Sequence, residues 1–288
     1  MFKIMKYILK NTLLKIRNIK TITFAIIIAV TIWSYNHPLR ELTYSIKYPV
    51  TWCVFPFMIS NLSFLILFGS ELIYINSMIF SYMQHSNMYQ IIRTGRISWA
   101  LGQLGGTFFR SFILVVFTAF CSIVSLLPQI EWSLQWGKLI HTIAMTNAAI
   151  QYNLKYVFYY QILGKYSPLQ LMIITIVICT FISMFLSSLN VYDKLIFQPH
   201  FGSLNYSSIN DNAIFVVNIH PKIRYILAKF IPTVWAKVVQ VNSPVLGYYW
   251  VPSIKYMFAF LLIGNIILII LILIKVKKCE FNWENEDI

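Results

Sequence analysis

The sequence predicts an all-α, polytopic membrane protein: about six transmembrane helices behind an amphipathic N-terminal helix that lies on the membrane surface. Three observations carry this reading. Of the 288 residues, 58% are hydrophobic and only 11% are charged, whereas a soluble domain needs about 25% charged residues to face water. The basic residues, 23 Lys and Arg against 9 Asp and Glu, cluster at the ends of the apolar runs, which suits the anionic cytoplasmic face of a membrane. No polar block is long enough to fold as a soluble domain, so 1–288 is read as a single transmembrane domain. Nucleic-acid binders share the net charge of +14, but this placement points to membrane lipids as the partner and not to nucleic acid.

The elements follow in order. Residues 1–20, "MFKIMKYILKNTLLKIRNIK", set Lys3, Lys6, Lys10, Arg17 and Lys20 at helical spacing, with Met5, Leu9, Ile16 and Ile19 on another face. That is a basic interfacial helix. Residues 21–36, "TITFAIIIAVTIWSYN", form the first span, with Trp33 and Tyr35 at the far interface. A secretory signal peptide is the rival reading, disfavoured because no small-residue cleavage motif follows and further spans do. An outer loop from His37 to Tyr48 leads to a second span at 50–69, a third at 106–127 stopped by Pro128, and a fourth at 168–189. The last span, 257–274, contains "FAFLLIGNIILIILILI" and ends at Lys275, Lys277 and Lys278. At about −0.3 to −0.6 kcal/mol for each Ile, Leu, Phe or Val, it favours insertion by several kcal/mol despite Asn265. Residues 275–288 form a polar cytoplasmic tail.

The fifth span, 201–220, is weak. "FGSLNYSSINDNAIFVVNIH" holds four asparagines and Asp211, and an aspartate at a span's centre costs about 2.5–3.5 kcal/mol. It crosses only if neighbouring helices shield it or it lines a wet cavity, which makes Asn210 and Asp211 candidates for a polar pathway. Two alternatives stay open. A five-span chain places Lys222, Arg224, Lys229 and Lys237 in the cytoplasm, and a third arrangement makes "LIHTIAMTNAAIQYNLKYVFYYQILG" a span. Six spans with both termini cytoplasmic is the expectation.

On that topology "MYQIIRTGRISWALGQLGGTFFR", Met88 to Arg110, belongs to the cytoplasmic connection between spans two and three. Arg93 and Arg96 are three apart and share a helix face, with Trp99 one turn further. Gly95, Gly102, Gly105 and Gly106 permit a change of direction into the third span. The segment reads either as a positive-inside anchor with Trp99 at the interface, or as a docking element presenting two guanidinium forks to a cytoplasmic partner.

Groups for chemistry are sparse. Cys53, Cys121, Cys179 and Cys279 form no C-x-x-C pair, and His37, His85, His141, His200 and His220 have no ligand spacing, so no metal site is expected. Acids near the spans are Glu71 at the cytoplasmic end of the second span, Asp193 and Asp211, with no paired-carboxylate arrangement. There is no G-x-x-x-x-G-K-[ST] loop to cradle phosphates. No catalytic residue and no bound cofactor are expected, and the chain is not read as an enzyme.

The basic N-terminal helix followed by a span, the turn "RTGRISW", and the proline-aromatic "KFIPTVWAKV" ahead of a last span with a basic tail together resemble the membrane subunit of an ATP-binding-cassette exporter of the type-2 permease family. The resemblance is one of layout over most of the chain. It implies that Arg93, Arg96 and Trp99 lie in the coupling segment that seats in a separate cytoplasmic ATPase subunit, which binds the ATP. It also implies short outer helices before the last span, and a homodimer or a heterodimer with another permease. Bacterial members of this kind export, or confer resistance to, antimicrobial peptides, lipids or drugs. The polar fifth span departs from the family's pattern. The reading from another class is a non-transporting immunity or assembly factor that binds a partner protein through its outer loops.

Overall fold

A computed structural model describes residues 8, 12, 18–77, 91–197, 223, 226–241, 243 and 251–278. Four helices among them are long and apolar enough to cross a membrane: α1 (Ile19–Ile46), α4 (Arg96–Val124), α8 (Pro168–Phe197) and α9 (Ile254–Lys278). The shortest, α9 with 25 residues, is about 37 Å long at 1.5 Å per residue, more than the ~30 Å hydrocarbon core. Outward faces such as Ile26 and Val30 of α1, Phe120 of α4 and Ile263, Ile266 and Ile270 of α9 stay exposed, which lipid tolerates and water does not. The chain is an all-α, membrane-embedded protein.

Helix α1 outlasts the expected span. Ile28, Ile32, Leu39 and Leu42 continue one buried stripe past Pro38, so most of the expected outer loop at His37–Tyr48 is further turns of α1. The stretch expected as the second span is divided. Val50–Thr51 form a short strand, β1, and two helices follow, α2 (Phe55–Ser60) and α3 (Leu62–Ser77). Asn61 makes the break: its backbone is extended at ψ 129°, and its side-chain Oδ1 accepts from the N–H groups of Ser63 and Phe64 at 3.0 and 3.3 Å. That is an N-cap of α3. Helix α2 is buried along its whole length.

At the end of the bundle where α1 and α4 finish, β1 pairs in parallel with β2 (Ile130–Glu131), Val50 opposite Ile130. The backbone N–H of Gly137 donates to Thr51 Oγ1 at 2.8 Å, and a Cβ there would lie 2.6 Å from Glu131 Oε2 and 2.9 Å from Thr51 Oγ1, so a larger residue would have to displace both side chains. Next come α5 (Lys138–Met145), α6 (Ala148–Gln151) and α7 (Tyr160–Leu163), of 8, 4 and 4 residues. None can cross a bilayer, which removes the arrangement with a span over 139–164.

The stretch expected as an outer loop, "KFIPTVWAKV", dips into the bundle instead. Two 3-10 turns, Pro232–Ala236 and Val238–Gln240, are buried from Pro232 through Val239. Trp235 is 0% exposed, its ring 5.1 Å from Phe260 and 6.0 Å from Tyr256. Its Nε1 donates to the carbonyl of Ala228 at 2.6 Å, so the indole meets no unsatisfied cost on burial. Thr233 and Ala236 line a small apolar cleft with Leu72 of α3 and Ile182 and Leu186 of α8, at the middle of α8. Gln240 returns to the loop end, donating to Tyr159 Oη at 2.9 Å. Helices α8 and α9 pack closely where Gly264 faces the Phe185 ring; a Cβ there would stand 2.8 Å from its Cε2.

Candidate functional site

The basic turn is built from the backbone outward. Helical backbone described from 91 to 94 stops at Gly95, whose φ of +82° leaves the helical region, and α4 starts at Arg96. Glycine reaches that conformation without strain. The Gly95 N–H donates to the carbonyl of Ile91 at 2.8 Å and its carbonyl accepts from the Trp99 N–H at 3.0 Å, so the two helical pieces stay joined. Ile91 and Trp99 point inward into a second core with Ala100 and Leu104 of α4, Val191 and Leu195 of α8, and Ile272 and Val276 of α9. Ile92, Arg93, Thr94, Arg96 and Ile97 are exposed. Arg96 Nη1 donates to the backbone carbonyl of Lys277 at 3.3 Å.

The structure therefore sorts the three residues picked out in sequence. Arg93 and Arg96 lie on the exposed side, at the same end as the exposed Lys275, Lys277 and Lys278 of α9. Trp99 is an interior anchor, not an interfacial ring. Asn210 and Asp211 lie outside the described residues.

A second feature was not picked out in sequence. Gln103, Thr107, Arg110, Ser111, Thr118, Ser122 and the C-capping Ser125 are all buried on one side of α4. Their spacing of three, four and seven is one face of a helix, and that pattern is present in "GQLGGTFFRSFILVVFTAFCSIVS" for sequence reading to find. Near the loop end, Asn36 of α1 donates to Ser125 Oγ at 2.5 Å and accepts from Tyr156 Oη at 2.8 Å. Burial pushes the Tyr156 phenol well above its ordinary value, so it stays a donor. At mid-bundle, Asn76 of α3 donates to Ser111 Oγ at 2.9 Å and Ser183 Oγ at 3.0 Å, and the two serines are 2.8 Å apart. One asparagine thus joins α3, α4 and α8.

Two charges flank this triad. Glu71 is expected at a cytoplasmic helix end, but α3 continues to Ser77 and Asn76 reaches mid-bundle, so Glu71 sits in the interior, 4% exposed, with Oε2 unbonded. It pairs with neither Arg93 nor Arg96. Arg110 is 1% exposed, and of its donors Nη2 bonds Thr107 Oγ1 at 3.0 Å while Nε and Nη1 bond nothing. Among the described residues no group of three or more His, Cys, Asp or Glu is placed to hold a metal ion.

Compared with known proteins, the chain matches no family model, no curated protein and no solved structure.

Proposed function

We propose that this chain is the permease subunit of an ATP-driven exporter in the cell membrane, of the type-2 permease kind. It has six spans with both termini cytoplasmic, and works as a homodimer or heterodimer with a separate ATPase subunit that binds the ATP. One observation carries this reading: the exposed turn at 92–97 is not a loose loop but is clamped to three long helices. Trp99 fastens it to α8 and α9 through the second core, and Arg96 fastens it to the end of α9. A push on that turn moves α4, α8 and α9 together, which is what a nucleotide-driven partner needs in order to rearrange spans. The exposed Ile92 and Ile97 beside Arg93 and Arg96 give a partner both apolar and acidic-group contacts. The buried polar face of α4 supplies an interior that is not wholly apolar, as a transported solute requires.

The test is affinity purification of the tagged chain from native membranes in mild detergent. A polypeptide bearing a phosphate-binding loop is expected in the eluate, and the Arg93→Glu/Arg96→Glu double variant should lower its recovery at least fivefold at unchanged chain level. Equal recovery with the double variant, or no such polypeptide with the wild type, rejects the proposal.

A further inference from the structure

Arg110 lies 14 residues after the start of α4 at Arg96, about 21 Å along the helix axis at 1.5 Å per residue. Its side chain leads back toward the basic end, as helical side chains do, and Thr107 Oγ1 holds one corner of the guanidinium there. Thr107 in turn donates to the carbonyl of Gln103 at 3.0 Å, so this acceptor is itself fixed. The next position on the face is Gly106, where a Cβ would stand 3.2 Å from Arg110 Nη1 and 3.6 Å from Thr12 Oγ1. A bare backbone, a fixed hydroxyl and a cation with two unused donor atoms converge on one spot. Ile8 covers the adjoining Gly105, approaching a Cβ position there to 2.9 Å, and Leu104 and Leu114 are buried on either side along α4.

Among the described residues no carboxylate pairs with Arg110. Glu71 forms no ion pair, and on α3 it stands before Asn76, toward the start of that helix, whereas Arg110 turns back to Thr107, toward the start of α4. A guanidinium buried without a partner costs several kcal/mol, and an oxyanion that accepts its free N–H groups offsets that cost with charge-assisted bonds. Anions able to reach this depth carry their own apolar body, because a bare ion faces the same desolvation.

We propose that Arg110, with Thr107 and the bare backbone of Gly106, binds the oxyanion of an anionic amphiphile, a carboxylate or phosphate ester borne on an acyl chain. The inference goes beyond the permease reading and does not rest on it, since binding needs neither ATP nor an ATPase.

The test uses the purified full chain in a neutral detergent, titrated separately with oleate and with phosphatidylglycerol, and bound ligand is counted by native mass spectrometry. The wild type should take one ligand saturably; oleate identifies a fatty carboxylate and phosphatidylglycerol a lipid phosphate as the source. Arg110→Gln should weaken that binding at least tenfold, Arg110→Lys should retain part of it, and Arg93→Gln/Arg96→Gln, which removes exposed cations only, should leave it unchanged. Gly106→Ala keeps the charge and sets a methyl group 3.2 Å from Arg110 Nη1, displacing the guanidinium, so it should weaken binding even where Arg110→Gln fails to fold. Absence of saturable binding of both probes by the wild type overturns the proposal. So does wild-type affinity in Arg110→Gln, or in Gly106→Ala.

Discussion

Arg96 and Lys277, 181 residues apart in sequence, meet at the basic end of the bundle, where the arginine's Nη1 donates to the lysine's backbone carbonyl at 3.3 Å. That carbonyl is one of the last four of α9, which have no partner within their own helix, and a cation is favoured there by the helix dipole as well. The contact is exposed, so its worth is small, under about 1 kcal/mol. Its consequence is geometric: it sets the start of α4 against the end of α9.

Trp99 provides most of the energy of that junction. Truncating a buried tryptophan costs about 3–5 kcal/mol, so Trp99→Ala should destabilise the chain by roughly 3 kcal/mol and Arg96→Ala by less than about 1 kcal/mol. Equilibrium unfolding in mixed detergent and sodium dodecyl sulfate micelles reads both. Equal losses would mean that the turn is held by its charge and not by the core formed with Ile272 and Val276.

The bond from Tyr156 to Asn36 predicts a pH dependence with a definite sign. Burial raises the Tyr156 pKa above the ordinary value of about 10. A group whose folded-state pKa is raised stabilises the fold below its unfolded value, and that stability is lost as pH climbs above it. Thermal stability should therefore not change on account of this group between pH 7 and 9, and should fall above about pH 10. Tyr156→Phe should flatten that alkaline fall while lowering stability at neutral pH by about 1 kcal/mol, since Asn36 Oδ1 then loses its donor.

Glu71 gives the opposite expectation from most buried polar residues. With Oε2 unbonded and no ion pair, replacing it removes a desolvation cost and breaks no bond. Glu71→Gln should leave stability unchanged or raise it by about 1 kcal/mol or more, whereas Asn76→Ala should lower it by about 1–2 kcal/mol by releasing Ser111 and Ser183. Chemical unfolding of the two variants side by side checks the contrast. A loss in Glu71→Gln as large as in Asn76→Ala would contradict it.

Packing of α8 on α9 rests on Gly264. A methyl group there would crowd Phe185 at 2.8 Å, so Gly264→Ala should cost about 1–3 kcal/mol through overpacking. Because the atom it strikes is the edge of a ring, Phe185→Leu in the same chain should recover part of the loss. A thermal-shift series over the two single variants and the double variant measures the coupling.

The long helices were legible in the sequence because lipid-facing surfaces are written in composition: α8 and α9 contain the apolar runs expected to span and extend beyond them, while α4 starts well before the run expected at 106–127 and ends at Val124, short of its far end. Their true ends were not legible, because α1 past Pro38 and α4 before Gly106 are held by packing with distant segments, not by local hydropathy. Asn61 did carry a local signal, the capping pattern Asn-Leu-Ser, hidden inside an unbroken apolar run. The burial of Pro232–Val239 had none: it has no helical period, and what takes it inside is the contact of Trp235 with rings from α9. For the candidate site, Arg93 and Arg96 are both exposed, but the shared helix face expected of them is broken by Gly95, which ends one helical stretch before Arg96 starts the next, and the inward turn of Trp99 depends on partners nearly a hundred or more residues away on α8 and α9.

On the proposed function, the turn carrying Arg93 faces the cell interior, where a cytoplasmic partner can push on it. Its most direct measurement places a single cysteine at position 93 of an otherwise cysteine-free chain and labels it with a membrane-impermeant maleimide. Labelling is expected only after the cells are permeabilised. Labelling in intact cells to the same extent would contradict it.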